Sequence, residues 1–224
     1  MNKTSTPFAK STAYFIPNSI LSKRYYPTAK TLLDICISCT ALALIWPVLV
    51  LVALLIKLDS KGPILFAQQR VGYNGKHFTL LKFRTMHHNC ESNESLNKTY
   101  QSDRAGICSK YKRDPRVTCI GRILRKLSID EVPQLINVLR NEMSLVGPRP
   151  ALVSEVEKYD LRALKRLDAM PGITGLWQIS GRANLSFSEQ IDLDLHYVEH
   201  ANLWMDTKII VLTIPAIIRC TGAY

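Results

Sequence analysis

The chain lacks a disulfide framework. Its six cysteines (Cys36, Cys39, Cys90, Cys108, Cys119 and Cys220) are scattered through 224 residues. That usage fits a reducing compartment. Cys36-x-x-Cys39 has no second ligand pair and sits in an apolar stretch, so it reads as core-like thiols rather than a zinc or redox site. No internal repeat is visible. No acid precedes Asp34, and no charge of either sign occurs from Ile35 to Ile56. Lysines and arginines are not interleaved with aromatics and match no nucleic-acid module, which argues against nucleic acid as a partner.

What is present is positive charge. The net charge is +11, so an anionic partner is expected: a membrane surface or a phosphorylated substrate. The length suits one domain or a small pair.

The uncharged run ICISCTALALIWPVLVLVALLI is bracketed by Asp34 and Lys57. As a helix it would just span a hydrocarbon core of about 30 Å. It starts too late for a signal peptide, and no cleavage site follows. Pro47 sits near its middle and removes a helical hydrogen bond. Two shapes follow: a kinked spanning helix, or a re-entrant one broken at Pro47. Lys3, Lys10, Lys23, Arg24 and Lys30 precede the run, and Lys61, Arg70, Lys76, Lys82 and Arg84 follow it. Both flanks therefore prefer the cytoplasmic side, which favours re-entry. The chain divides into a basic segment (1–30), a re-entrant membrane helix (31–58) and a cytoplasmic-face domain (59–224).

The expected fold class is α/β, mostly α, with one β-hairpin and interfacial amphipathic helices. Residues 63–72 and 77–84 alternate as strands around the turn Tyr73-Asn74-Gly75. Residues 87–113 are polar and read as a mobile loop. Helices are expected over 132–141, 151–169 and 186–199. The stretch 203–219 reads equally as a helix in the membrane interface or as a buried one.

The most informative motif is Asp130-Glu131, two adjacent carboxylates following Arg122, Arg125 and Lys126. Such a pair suits phosphate chemistry: one acid ligates a divalent metal or attacks phosphorus while cations hold the oxyanions. Ser128-x-x-Glu131 is equally a helix capping box. Pro148-Arg149-Pro150 holds a guanidinium on a stiff backbone, suited to bidentate phosphate binding, or forms a surface turn. Lys82 and Arg84 put two cations on one strand face, for phosphate or for solvent.

Taken in order, these motifs resemble a family, the monotopic phosphoglycosyl transferases among the bacterial sugar transferases. The residues carrying the resemblance are Asp34 with the Pro47-containing helix, Gly62 to Gly72, Lys82-Phe-Arg84-Thr-Met86, Asp114-Pro-Arg116-Val-Thr118 and Arg125 to Leu135. Ser144 to Pro150, Pro171 to Gln178 and Gly181-Arg182 complete it. The resemblance implies transfer of a sugar-1-phosphate from a UDP-sugar to undecaprenyl phosphate, with release of UMP. It places Asp130 as nucleophile and Glu131 as its assistant, Mg²⁺ at that dyad, and Arg125 and Arg149 near phosphate. The implied site is the cytoplasmic face of a bacterial inner membrane, with room for a homo-oligomer. It also implies the short form, without an added four-helix membrane domain, and an ending over 217–224 like that of exopolysaccharide members handling glucose or galactose. The rival readings are a non-catalytic scaffold of the same fold and a glycosyltransferase that releases UDP.

Overall fold

The structure is a computed structural model that describes residues 26–87, 114–181 and 185–218. The first 25 residues of the basic segment, residues 88–113 of the loop expected over 87–113, residues 182–184 (with Arg182) and the final residues 219–224 lie outside the described residues.

Helix α1 runs over Tyr26–Asp59, 34 residues, about 50 Å at 1.5 Å per residue. Its helical conformation continues through Pro47, so the break expected there is not a loss of helix. One missing N–H removes a single hydrogen bond, and residues on both sides of it stay packed. Asp34, Ser38, Leu42, Ile45, Leu49, Val52 and Ile56 form one buried or half-buried stripe, spaced as one face of a helix requires. The opposite face, with Leu33, Leu44, Trp46, Val50, Leu54 and Leu58, is exposed and apolar. α1 is long and apolar enough to cross a membrane.

Strands β1 (Leu65–Val71) and β2 (His77–Phe83) pair antiparallel from Leu65↔Phe83 to Val71↔His77. The turn between them works because Asn74 and Gly75 take positive φ, 52° and 74°, conformations those residues tolerate best. The outer edge of β2 is capped by a side chain. Asn137 is fully buried; its Oδ1 accepts from Leu81 N at 3.0 Å, and its Nδ2 donates to Thr79 O at 2.8 Å. Asn137 lies on helix α3, which follows α2 (Cys119–Lys126) and spans Gln134–Leu139.

Strand β3 (Ser144–Val146) pairs parallel with β5 (Gly172–Thr174), and β4 (Ala151–Leu152) adds to β1. The single helix expected over 151–169 is instead three short pieces. α4 covers Val153–Val156, α5 covers Leu161–Leu164, and a 3₁₀ turn covers Lys165–Asp168. Asp160 is the reason: its carboxylate accepts from Ala163 N at 2.7 Å and starts a new helix inside the apolar period. Helix α6 is Leu176–Ser180, and α7 (Phe187–His200) opens on a capping box of Ser186 and Glu189. The last helix is α8 (Leu203–Ile218), with one buried and one exposed apolar face. Ile209 and Asp206 are buried, whereas Trp204, Val211 and Ile214 are exposed.

Two apolar clusters join α1 to the rest. Phe78, Leu80, Val138, Met143 and Ile209 receive Ala41, Leu42 and Ile45. Val52 and Ile56 pack on Phe83 and Leu124, with Leu49 and Ile129 at the edge. Burying each such side chain is worth about 1.5–3 kcal/mol. Polar contacts tie down both ends of the helix. Lys30 pairs with Asp206 at 2.9 Å, Ser144 Oγ donates to Asp34 at 2.6 Å, and Ile120 N donates to Asp59 at 3.1 Å.

Candidate active site

The dyad sits where α2, β2 and a single 3₁₀ turn converge. Thr118 caps α2 by accepting from Gly121 N at 3.0 Å. Gly121 has to be glycine, because a Cβ there would lie 2.1 Å from Thr85 O. That close approach seats α2 directly on the end of β2. After α2, Ser128 turns the chain at φ 56° and starts the 3₁₀ turn Ile129–Glu131. Ser128 makes no side-chain cap, so the capping box expected from Ser128 and Glu131 does not form. The left-handed backbone swings both acids towards β2 instead.

There Lys82 Nζ donates to Glu131 Oε1 at 2.7 Å. Asp130 is 9% exposed. Burial pushes its carboxyl up to about 6; Lys82 pulls it down, Glu131 pushes it up and Arg125 pulls it down. Asp130 is thus mostly ionised at neutral pH but thinly hydrated, a state that favours nucleophilic attack. Arg125 donates from Nε to Thr85 Oγ1 at 2.9 Å. Burial lowers its pKa, while Asp130 and Asp114 oppose that loss of charge. Asp114 is itself held by Arg116, Nη2 to Oδ2 at 2.6 Å and Nε to Oδ1 at 2.9 Å. Burial works to raise the Asp114 pKa, but the Arg116 bonds outweigh it and the net shift is downward.

The structure therefore gathers Asp130, Glu131, Lys82 and Arg125, all expected from the sequence. Arg84 and Arg149 are not among the groups that act on Asp130. Arg84 is buried, and its Nη2 donates to Ser60 O at 2.6 Å, Ser60 Oγ at 2.9 Å and Ile56 O at 3.3 Å. It closes the C-terminal end of α1, where a cation complements the helix dipole. Arg149 is exposed and its charge acts on Asp194. Thr85, which orients Arg125, was not singled out by sequence reading. It entered the sequence reading only inside the motif Lys82-Phe-Arg84-Thr-Met86, with no role of its own.

Among the described residues, no three His, Cys, Asp or Glu side chains form a metal cluster. Mg²⁺ is commonly held by one or two carboxylates, with water and substrate phosphate completing its shell. Asp130 and Glu131 are two adjacent carboxylates, one buried and one half-exposed.

A buried Asp130 and a half-exposed Glu131 thus lie beside Lys82 and Arg125, on a domain packed against one long apolar helix. The chain belongs to the bacterial sugar transferase family, whose model matches residues 25–220. It is 41% identical over 220 residues to the exopolysaccharide production protein ExoY of Sinorhizobium fredii, covering 96% of each chain. It is 40% identical to the UDP-glucose:undecaprenyl-phosphate glucose-1-phosphate transferase of Caulobacter vibrioides, over 87% of this chain and 72% of that one. With the undecaprenyl-phosphate galactose phosphotransferase of Salmonella typhimurium it shares 39% identity, over 91% of this chain and 43% of the other.

Proposed function

We propose that this protein transfers a sugar-1-phosphate, glucose or galactose phosphate, from a UDP-sugar to undecaprenyl phosphate as the first step of exopolysaccharide synthesis. The observation that carries the reading is the buried Asp130 carboxylate, set beside Glu131 and within the fields of Lys82 and Arg125. Family membership and the names of the relatives support the substrate class.

In the first step an Asp130 carboxylate oxygen attacks the sugar-proximal phosphorus of the donor. A new P–O bond forms to Asp130, the bond to the bridging oxygen breaks, and UMP leaves with that electron pair. In the second, a phosphate oxygen of undecaprenyl phosphate attacks the same phosphorus. The bond to Asp130 breaks, the carboxylate is regenerated, and undecaprenyl diphosphate-sugar departs. Splitting the transfer lets one set of cations serve both steps. Lys82 and Arg125 offset charge at the reacting phosphate, and Arg149 offers a further cation to the donor. Mg²⁺, held by Asp130 and Glu131, would supply charge neutralisation on the phosphate oxygens.

The anchorage of α1 supports a re-entrant or surface-lying helix at the cytoplasmic face of the bacterial inner membrane. A helix crossing a bilayer would carry its two ends to opposite sides, yet Lys30 and Asp59 are both bonded to the same polar domain. The apolar outer face of α1 and the exposed Trp204, Val211 and Ile214 of α8 would meet lipid. That arrangement would bring the dyad to the depth of a lipid phosphate.

The test is nucleotide release from nanodisc-embedded protein with Mg²⁺, undecaprenyl phosphate and UDP-glucose or UDP-galactose. Lipid-dependent UMP release, lost in Asp130→Asn, is the expected result. Release of UDP would mean glycosyl transfer and overturn the reading.

A further inference from the structure

The turn carrying Arg149 is gripped from behind by three donors. Pro148 O accepts from Gly172 N at 2.8 Å, Arg149 O from Arg166 Nη2 at 3.2 Å, and Pro150 O from Arg70 Nη1 at 3.0 Å. Three successive carbonyls are thus fixed on the inner side. Gly72, Pro148, Arg149, Arg166 and Pro171 line a shallow, partly open hollow between the turn and its support. The Arg149 guanidinium, by contrast, is exposed and makes no ion pair or hydrogen bond among the described residues.

Arg166 is the centre of the support. It is 7% exposed and Asp194 is 1% exposed. Its Nη2 donates to Asp194 Oδ2 at 2.5 Å, and its Nη1 donates to Tyr159 OH at 2.9 Å. Its guanidinium also lies 5.7 Å from the centre of the Tyr159 ring. A buried ion pair of this kind adds little stability over apolar packing of the same volume, so stability alone does not account for it. What it does supply is direction. The planar fork aims one N–H at the Arg149 carbonyl, and Asp194 cancels the charge of Arg166. Arg149 is left as the cation that an incoming anion meets.

We propose that Arg166, locked by Asp194, is a positioning residue for Arg149 in donor binding. The inference rests on the reading of Arg149 as a ligand of donor phosphate. Arg166 touches no substrate; it fixes the backbone from which Arg149 reaches one.

The test is a double-mutant cycle on the full chain in nanodiscs, with Mg²⁺ and undecaprenyl phosphate. UMP release is followed with UDP-glucose, UDP-galactose and their N-acetylated counterparts. Arg149→Ala should lower kcat/KM for the donor by about 100-fold, as loss of a positioned phosphate contact does. Arg166→Lys keeps the charge opposite Asp194 but loses the fork. It should lower donor kcat/KM roughly 10- to 100-fold, with the KM for undecaprenyl phosphate within about twofold of wild type. In the Arg149→Ala background Arg166→Lys should add less than about a twofold loss, because residues acting through one another are not additive. Additive losses would make Arg166 merely structural and overturn the inference. An Arg149→Ala variant with wild-type kinetics would overturn it too, and would place the fault in the assignment of Arg149 itself. Should Arg166→Lys fail to fold, Asp194→Asn, which preserves shape and an acceptor oxygen, completes the same cycle.

Discussion

Lys82 Nζ lies 2.7 Å from Glu131 Oε1, so the strand's cation bonds the second acid of the dyad and acts on the first only through its field. The two carboxylates thereby differ although they are neighbours in sequence. Glu131 is half-exposed and neutralised. Asp130 is buried, with its pKa raised, and has no direct ion pair among the described residues. This division suits one acid to covalent attack and the other to support.

Asp130→Asn separates activity from stability. Turnover should disappear, because an amide oxygen is a poor nucleophile. The melting temperature should rise, because the substitution removes a buried ionised group. A differential scanning measurement in the same nanodiscs, paired with the UMP assay, checks both. Wild-type turnover would sink the nucleophile assignment.

The pH dependence has a defined sign. The Asp130 carboxyl moves from 3.8 in its ordinary state to about 6 in the fold. Between those values the folded state binds the extra proton, so stability rises as pH falls from about 6 towards 4. It is lowest above 6, by about 3 kcal/mol. Activity runs the other way, with an acid limb in kcat/KM near pH 6. Lys82→Gln removes a charge that lowers the Asp130 pKa, so its limb should move to higher pH. A limb that stays put in Lys82→Gln would exclude that coupling.

Arg84→Lys tests whether Arg84 serves α1 or the substrate. An ammonium cannot reproduce contacts to Ile56 O, Ser60 O and Ser60 Oγ together. The protein should lose about 1–3 kcal/mol of stability, with donor KM unchanged. A selective rise in donor KM without destabilisation would return Arg84 to the phosphate site.

Single cysteines at Thr28 and Lys61, in a cysteine-free background, report the sides of the two ends of α1. Both should react with an impermeant maleimide only after the cytoplasmic face is opened. Labelling from opposite faces would establish a spanning helix.

Asp206→Asn tests how α1 is anchored. Asp206 accepts from Lys30 at 2.9 Å and from Tyr197 OH at 2.7 Å. Breaking this partly buried pair should cost about 3 kcal/mol, and protease should cut more readily near the start of α1. Unchanged proteolysis would show that apolar packing alone holds the helix.

Much of this arrangement was readable from local pattern. Alternation around Asn74-Gly75 placed the hairpin, because strand period and turn chemistry are properties of neighbouring residues. The uncharged run placed α1 for the same reason, and apolar periodicity placed a helix over 186–199, where α7 lies. The adjacency of Asp130 and Glu131 among cations singled out the dyad. The apolar period over 151–169 misled, because Asp160 offers the backbone a competing start within it. Tertiary structure alone decided where the long cations point. Lys82 and Arg84 stand two residues apart, yet Lys82 bonds Glu131, 49 positions away, while Arg84 closes α1, 24 positions behind it. It also decided that Asn137 would cap β2, that Arg166 would sit behind Arg149, and that Asp34 would meet Ser144 across 110 positions. A sequence displays the periods that fold each element. A buried donor finds its acceptor only after those elements have packed and removed water as the alternative partner.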